Sequence, residues 1–322
     1  MELFIPIFNQ MIFLFSLIVI GFLLLKWKLI PDNSTVMISK LENILFVPAL
    51  VMYTFMNNCT LDALVSVWKL LILAILMVLL MMVISVFVAK LCFKEQFLQK
   101  IATYGLAFSN FGFMGNAIMN AIFPEIFFEY TIFTLPFWCM IYLWAVPMLL
   151  IPIEGMEGKM KFKDRLKSFC NPMLIAMLIG AILGLSGVGA KLPTGIRLVI
   201  KVSGDCMSPL AMLLTGMAIA QADIMVLLKK WRIYFTSFIK LVIYPLLVLF
   251  ILALLPQNSF FTATFFKCAV CMAAMPMGLN AIVIPAAYGK DTSDAAGLAM
   301  ISHLFSVGTI PLMFMLLRIF VL

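Results

Sequence analysis

The chain has 322 residues, 65% of them hydrophobic and 11% charged, and a mean hydropathy of +1.17. Water-soluble domains carry roughly 45–50% apolar and about 25% charged residues, so this composition excludes a soluble protein and leaves no soluble domain over. The formal net charge of +8 would suit nucleic acid or anionic lipid, but the placement of the basic residues assigns it to the sidedness of a membrane protein.

Crossing a hydrocarbon core takes roughly 20 apolar residues. In chain order the expected spans are 3–25, 36–56, 63–88, 99–123, 127–152, 171–188, 193–221, 231–255, 263–288 and 293–320. Residues 1–25 read as a retained span rather than a cleavable leader, because the apolar run is long, Glu2 precedes it and no small-residue cleavage site follows. Polar punctuation separates the spans: KLIPDNS at 28–34, NNCTLD at 57–62, KEQ at 94–96, LPQNS at 255–259 and GKDTSD at 289–294. The longest polar segment, residues 154–170, divides the chain into halves 1–153 and 171–322 of five spans each.

Basic residues fix the expected orientation. Lys26, Lys28, Lys40, Lys90, Lys94, Lys100, Lys159, Lys161, Lys163, Arg165, Lys167, Lys229, Lys230, Arg232 and Lys290 all border the loops after odd-numbered spans, fifteen against seven elsewhere. Those loops are therefore expected in the cytoplasm and both termini outside. Related halves with an odd number of spans must insert with opposite orientation. An internal repeat is visible. SKLENILFVPALVM (39–52) matches IKVSGDCMSPLAML (200–213) with Pro48 on Pro209. GFMGNAIMNAIFP (112–124) matches PMGLNAIVIPAAYG (276–289) with Asn116 on Asn280 and Gly112 on Pro276.

The fourth span holds FSNFGFMGNAIMN (108–120), with Asn110, Gly112, Gly115 and Asn116 at the depth where polar and helix-weakening residues cost most. Each glycine lowers helix propensity by about 1 kcal/mol against Ala. In the ninth span Pro276 removes a donor and clashes with the preceding turn. Both spans are expected to break near the membrane midplane, giving half-helix ends and unwound carbonyls that suit a carboxylate and a cation. Close packing by glycine and helix gluing by asparagine are the competing reading.

Ionisable residues within spans are functional candidates. Asp205 precedes Pro209 by four residues, with a pair to Lys201 as the alternative to a coupling role. Glu42 precedes Pro48 by six, with pairing to Lys40 or Lys94 as the alternative. His303, the sole histidine, suits either proton coupling or packing. Lys69 and Lys240 are expected to snorkel. Seven cysteines, an odd number in mostly apolar runs, do not suggest a disulfide framework. Cys268 and Cys271 read as packing residues, and the 26 methionines as soft packing rather than a metal site.

LSKL-type residues before FVPALVM, the NFGFMGNAI run, NPMLIAMLIGAILG at the start of the second half and MPMGLNAIVIPAAYGKD resemble the auxin efflux carrier family. This family includes prokaryotic malonate and malate permease-like members and is related to plant exporters of auxin. The resemblance covers essentially the whole chain. It implies an all-α polytopic fold of the bile acid/sodium symporter type, with ten helices in two inverted repeats. Spans 1, 2, 6 and 7 would form a scaffold, and spans 3–5 and 8–10 a transport domain that moves like an elevator. Broken spans 4 and 9 would cross beside the substrate, which places Asn110, Gly112, Gly115, Asn116, Pro276 and Asn280 at the site and makes Pro48 and Pro209 scaffold motif residues. Many relatives carry Pro where this chain has Asn116, which leaves the shape of that break open. The plant exporters have a long central loop, and this chain does not. Related proteins form dimers, so a homodimer is an expectation of the resemblance.

The expected function is secondary active transport of a small organic anion, a dicarboxylate or an auxin-like carboxylate, across the cytoplasmic membrane. No cofactor is expected beyond a coupling Na⁺ or H⁺. The alternatives are an exporter of an aromatic or indole carboxylate, and a passive channel or non-transporting sensor. An enzyme is not expected: the sequence has no HExxH, no serine nucleophile with a matched histidine and no paired intramembrane aspartates. A primary pump is excluded by the lack of a P-loop.

Overall fold

The computed structural model describes residues 4–150, 172–221, 231–282 and 293–322. The connecting loop 154–170 and residues 222–230 and 283–292 lie outside the described residues, and with them most of the expected cytoplasmic lysines. Among the described residues every regular element is helical, apart from one antiparallel bridge between Ser109 and Met277.

The helices are α1 (Phe4–Lys26), α2 (Ser34–Asn58), α3 (Leu61–Cys92), α4 (Gln96–Ala107), α5 (Asn116–Ile122) and α6 (Phe127–Met140). They continue with α7 (Pro172–Leu185), α8 (Thr194–Ala220), α9 (Trp231–Ala253), α10 (Ala263–Ala274) and α11 (Ser293–Phe320). Seven helical stretches are long and apolar enough to cross a membrane, and α7 and α10 are shorter apolar helices. The chain is thus an all-helical, multi-pass membrane protein.

Local chemistry explains several helix starts. Thr60 and Thr262 are extended, and their hydroxyls accept from the N–H groups of Ala63 and Phe265, both at 3.2 Å. Each ends a polar loop and caps the helix that follows. Wide π turns interrupt the apolar runs at Glu42–Phe46 in α2, Phe111–Gly115 before α5, Ile141–Leu150 after α6 and Ile239–Ile243 in α9. Such turns insert a residue and re-aim side chains, often at functional sites.

Two sets of helix contacts stand out, and α1 also packs on α11 across them. In one, α1 runs along the second half of α8, and the second half of α2 runs along α7. The backbones approach closely there. A Cβ on Gly216 would meet backbone atoms of Ile18 and Phe22, and one on Gly184 would meet the carbonyl oxygens of Phe55 and Cys59. Small residues at such contacts let helices pack without a hydrophobic driving force. In the other group, α3 packs on α4 and α6, and α9 and α10 pack on α11. The π turn Phe111–Gly115 touches α8 and so lies where the two groups meet.

Candidate functional site

The segments expected as the fourth and ninth spans both break, and they pair with each other at their breaks. α4 ends at Ala107, Phe108 is extended (φ −119°, ψ 98°), and Asn110 leaves helical geometry (φ −77°, ψ 48°). α10 ends at Ala274, Met275 is extended (φ −64°, ψ 146°), and helix resumes at Asn280. The two extended stretches pair. The Asn110 N–H donates to Pro276 O at 2.7 Å, and the Gly278 N–H donates to Phe108 O at 3.4 Å. The Ser109 hydroxyl donates to Met272 O at 2.7 Å, and the Met277 N–H donates to the Ser302 hydroxyl at 3.2 Å. These backbone groups at the breaks are therefore satisfied by the other broken segment or by α11, as an apolar surrounding requires.

This corrects the expected position of the first break. It falls at Phe108–Asn110, ahead of the glycines rather than at them. A Cβ on Gly112 would run into the Trp138 indole, and one on Gly115 into the Tyr130 hydroxyl. That hydroxyl in turn donates to Phe111 O at 3.0 Å. The glycines thus admit bulky partners to the turn after the break, which is the packing role weighed against the site role. Pro276 lies in the second break, where its ring holds Met275 extended. Asn280 opens the helix after the second break, whereas Asn116 follows the π turn within a continuous helical stretch, so the two aligned asparagines do not stand at the same distance from their breaks.

Asn110 and His303 are 2% and 1% exposed, and the Asn110 amide meets His303 Nε2 at 3.0 Å. His303 Nδ1 lies 2.7 Å from Ala299 O, which can only accept. The ring therefore carries its proton on Nδ1, and Nε2 accepts from Asn110. His303 joins α11 to the crossing rather than merely filling space.

A cavity of about 160 Å³ lies beside the crossing, lined by Asn43 and Val47 of α2, Pro172 and Met173 of α7, and Gly112, Phe113 and Trp138. A void of roughly 150 Å³ holds benzene, so the volume suits a small organic molecule. Of its lining only Asn43, Trp138 and the backbone are polar. Asn110, Asn116, Pro276 and Asn280 frame the crossing but do not line this cavity.

The charged candidates divide. Asp205 pairs with Lys201 at 2.6 Å, each side chain 49% exposed, as their spacing allows. Glu42 sits in a π turn, fully buried, and neither carboxylate oxygen has a hydrogen-bond partner among the described residues. The expected pair with Lys40 or Lys94 is not formed; the turn aims the side chain into the protein instead. Pro48 follows that turn, and Pro209 follows the bend at Cys206 between the two halves of α8. Both prolines thus sit just past a disturbed turn. Lys69 donates to Ser259 O at 3.0 Å. Lys240 does not snorkel: it is 2% exposed, and its ammonium points at Leu106 O, 3.4 Å away. Sequence spacing carried no signal for this contact, since its partner lies 134 residues away. Cys268 and Cys271 are free and fully buried, and the Cys271 thiol faces the Tyr130 hydroxyl at 3.8 Å.

Apolar helices in numbers sufficient to cross a membrane many times, with two of the crossings broken and stitched together at their breaks, define a polytopic membrane protein built around an interrupted core. A family model described as membrane transport protein matches residues 6–314, and the chain belongs to that family, the auxin efflux carrier family of transporters. Among curated proteins none matches the chain.

Proposed function

We propose that the protein is a secondary active transporter of small organic anions in the cytoplasmic membrane, with ten spans in two inverted five-helix repeats and both termini outside. The cavity between α2, α7 and the crossing is the observation that carries this reading. It lies where the group containing α1, α2, α7 and α8 meets the group containing the breaks. The first group acts as scaffold and the second as the moving transport domain, so a substrate between them is carried by an elevator-type displacement. The pairing of α1 with α8 and of α2 with α7 supports the inverted repeat, because a symmetry that maps the first span on the sixth and the second on the seventh exchanges these two contacts.

The apolar lining by Val47, Phe113, Trp138 and Met173 favours a carboxylate with an apolar or aromatic body over a dicarboxylate. Among the described residues no basic side chain lines the cavity. The carboxylate group is then held by Asn43 and by dipoles of the interrupted backbone. Buried and without a hydrogen-bond partner among the described residues, Glu42 supports H⁺ as the coupling ion. The protein works without a cofactor, and a homodimer is its assembly.

The test is uptake of radiolabelled malate, malonate and indole-3-acetate by proteoliposomes under imposed Na⁺ or pH gradients. Wild type should show saturable, gradient-driven flux, greatest for indole-3-acetate. Asn43→Ala, which removes an amide lining the cavity, should lose most of it, and Glu42→Gln should uncouple flux from the pH gradient. Intact flux in Asn43→Ala overturns the cavity as the site, and unsaturable flux that ignores every gradient turns the protein into a channel.

A further inference from the structure

Lys240 is used by nothing so far described. It lies in the π turn Ile239–Ile243 of α9 and is buried at the back of the crossing, among α4, α9, α11 and Met277. A buried ammonium with no carboxylate partner among the described residues is costly in an apolar setting. What it meets instead is the end of a broken helix. Leu106 is in the last turn of α4, whose final carbonyls carry partial negative charge. In an unbroken helix the Asn110 N–H would reach the Leu106 carbonyl; here it turns to Pro276 O, and Lys240 stands 3.4 Å from Leu106 O in its place.

The surroundings are those of a cation. The Tyr244 ring centroid lies 5.7 Å from the ammonium, within cation–π range. The Ser237 and Tyr244 hydroxyls on the same helix are buried and bond neither Lys240 nor any other group among the described residues. Ser237, Ser302 and Lys240 line one cavity of about 10 Å³. A water needs about 10–15 Å³ of such space, so the cavity takes one water and no carboxylate. Its size rules out substrate anchorage and leaves the balancing of charge.

We infer that Lys240 is the tethered counter-charge of the broken fourth span, its own ammonium standing at the Leu106 carbonyl where a dissociable monovalent cation would otherwise stand. Lys240 is then a positioning residue that holds the crossing in shape, and Na⁺ has no binding role on this side of it. For its bearing on coupling, the inference rests on the carrier reading; for the charge itself, it rests on the crossing alone.

The experiment uses full-length protein in lipid nanodiscs and follows Tm by tryptophan fluorescence. Wild type and Lys240→Arg should melt together, unchanged when Na⁺ replaces choline. Lys240→Ala should melt several degrees lower. It should recover at least half of that loss in n-propylammonium, some of it in Na⁺, and none of it in n-propanol. Lys240→Met keeps the length without the charge, should also melt low, and decides the question if Lys240→Ala does not fold. The inference is overturned if n-propanol restores Lys240→Ala as well as n-propylammonium does. It is equally overturned if Lys240→Met melts with wild type, or if Na⁺ raises the wild-type Tm as it raises that of Lys240→Ala. Absence of flux from wild type itself defeats the carrier reading while leaving the melting result to decide on Lys240.

Discussion

The two breaks reach the same geometry by different chemistry. In the ninth span the interruption is covalent: Pro276 cannot donate, and its ring keeps Met275 out of the helical region. In the fourth span no proline occurs between Gln96 and Ile122, and the interruption is held by tertiary bonds. Ser109 and Asn110, residues whose short polar side chains compete with helix, turn their donors to Met272, Pro276 and His303. One break is thus written into its own residues and the other is borrowed from its partner. Breaking the ninth should therefore undo the fourth more readily than the reverse.

The glycines separate the two most sharply. Gly115→Val drives a branched side chain at the Tyr130 hydroxyl, which is itself held by Phe111 O. It should cost about 3 kcal/mol or leave no monodisperse protein, as judged by size-exclusion chromatography and Tm. Gly278→Ala places its Cβ 3.1 Å from Phe108 O, a contact relieved by a few tenths of an ångström, and should cost only about 1 kcal/mol. Next come the tertiary bonds. Ser109→Ala leaves the Met272 carbonyl unpaired in the interior and should cost about 1–3 kcal/mol. Pro276→Ala lets residue 275 return to helical geometry and loosens both breaks, so it should cost at least as much, up to about 3 kcal/mol. A smaller loss for Pro276→Ala than for Ser109→Ala in melting experiments would reverse the assignment of which break depends on which. A double-mutant cycle with Asn110→Ala and His303→Ala should show coupling of about 0.5–3 kcal/mol; additivity would mean that α11 does not hold the fourth break. The smallest effect lies away from both breaks. Asp205→Asn removes a half-exposed pair with Lys201 and should change stability by under about 1 kcal/mol, with flux unaltered. A large flux loss would bring Asp205 back as a coupling residue.

The same contrast governs what the sequence disclosed. Apolar run length placed α1, α3 and α9 near their actual bounds, because spanning length and loop polarity are local properties. Pro276 was legible for the same reason, as was the i, i+4 pair of Lys201 and Asp205. The fourth break was misplaced by a few residues, since glycine marks weakness but the fracture follows hydrogen bonds to residues some 163 positions away. The neighbours of Lys240 and the loneliness of Glu42 were illegible, because each depends on which side chains other helices bring to the same depth. The π turns that carry both left no mark in apolar periodicity.

The bridge between Ser109 and Met277 is, in mechanical terms, a rivet. Two strands joined at their narrowest point by backbone bonds, and backed by Ser302, do not act as a joint. Whatever displacement the protein makes, both fractures travel as one rigid part, and bending must be absorbed where chain segments join that part to the rest. A covalent link across positions 109 and 277 would therefore leave any displacement unchanged, whereas one between Val47 of α2 and Phe113 of the turn after the break, which both line the cavity, would tie that part to its surroundings.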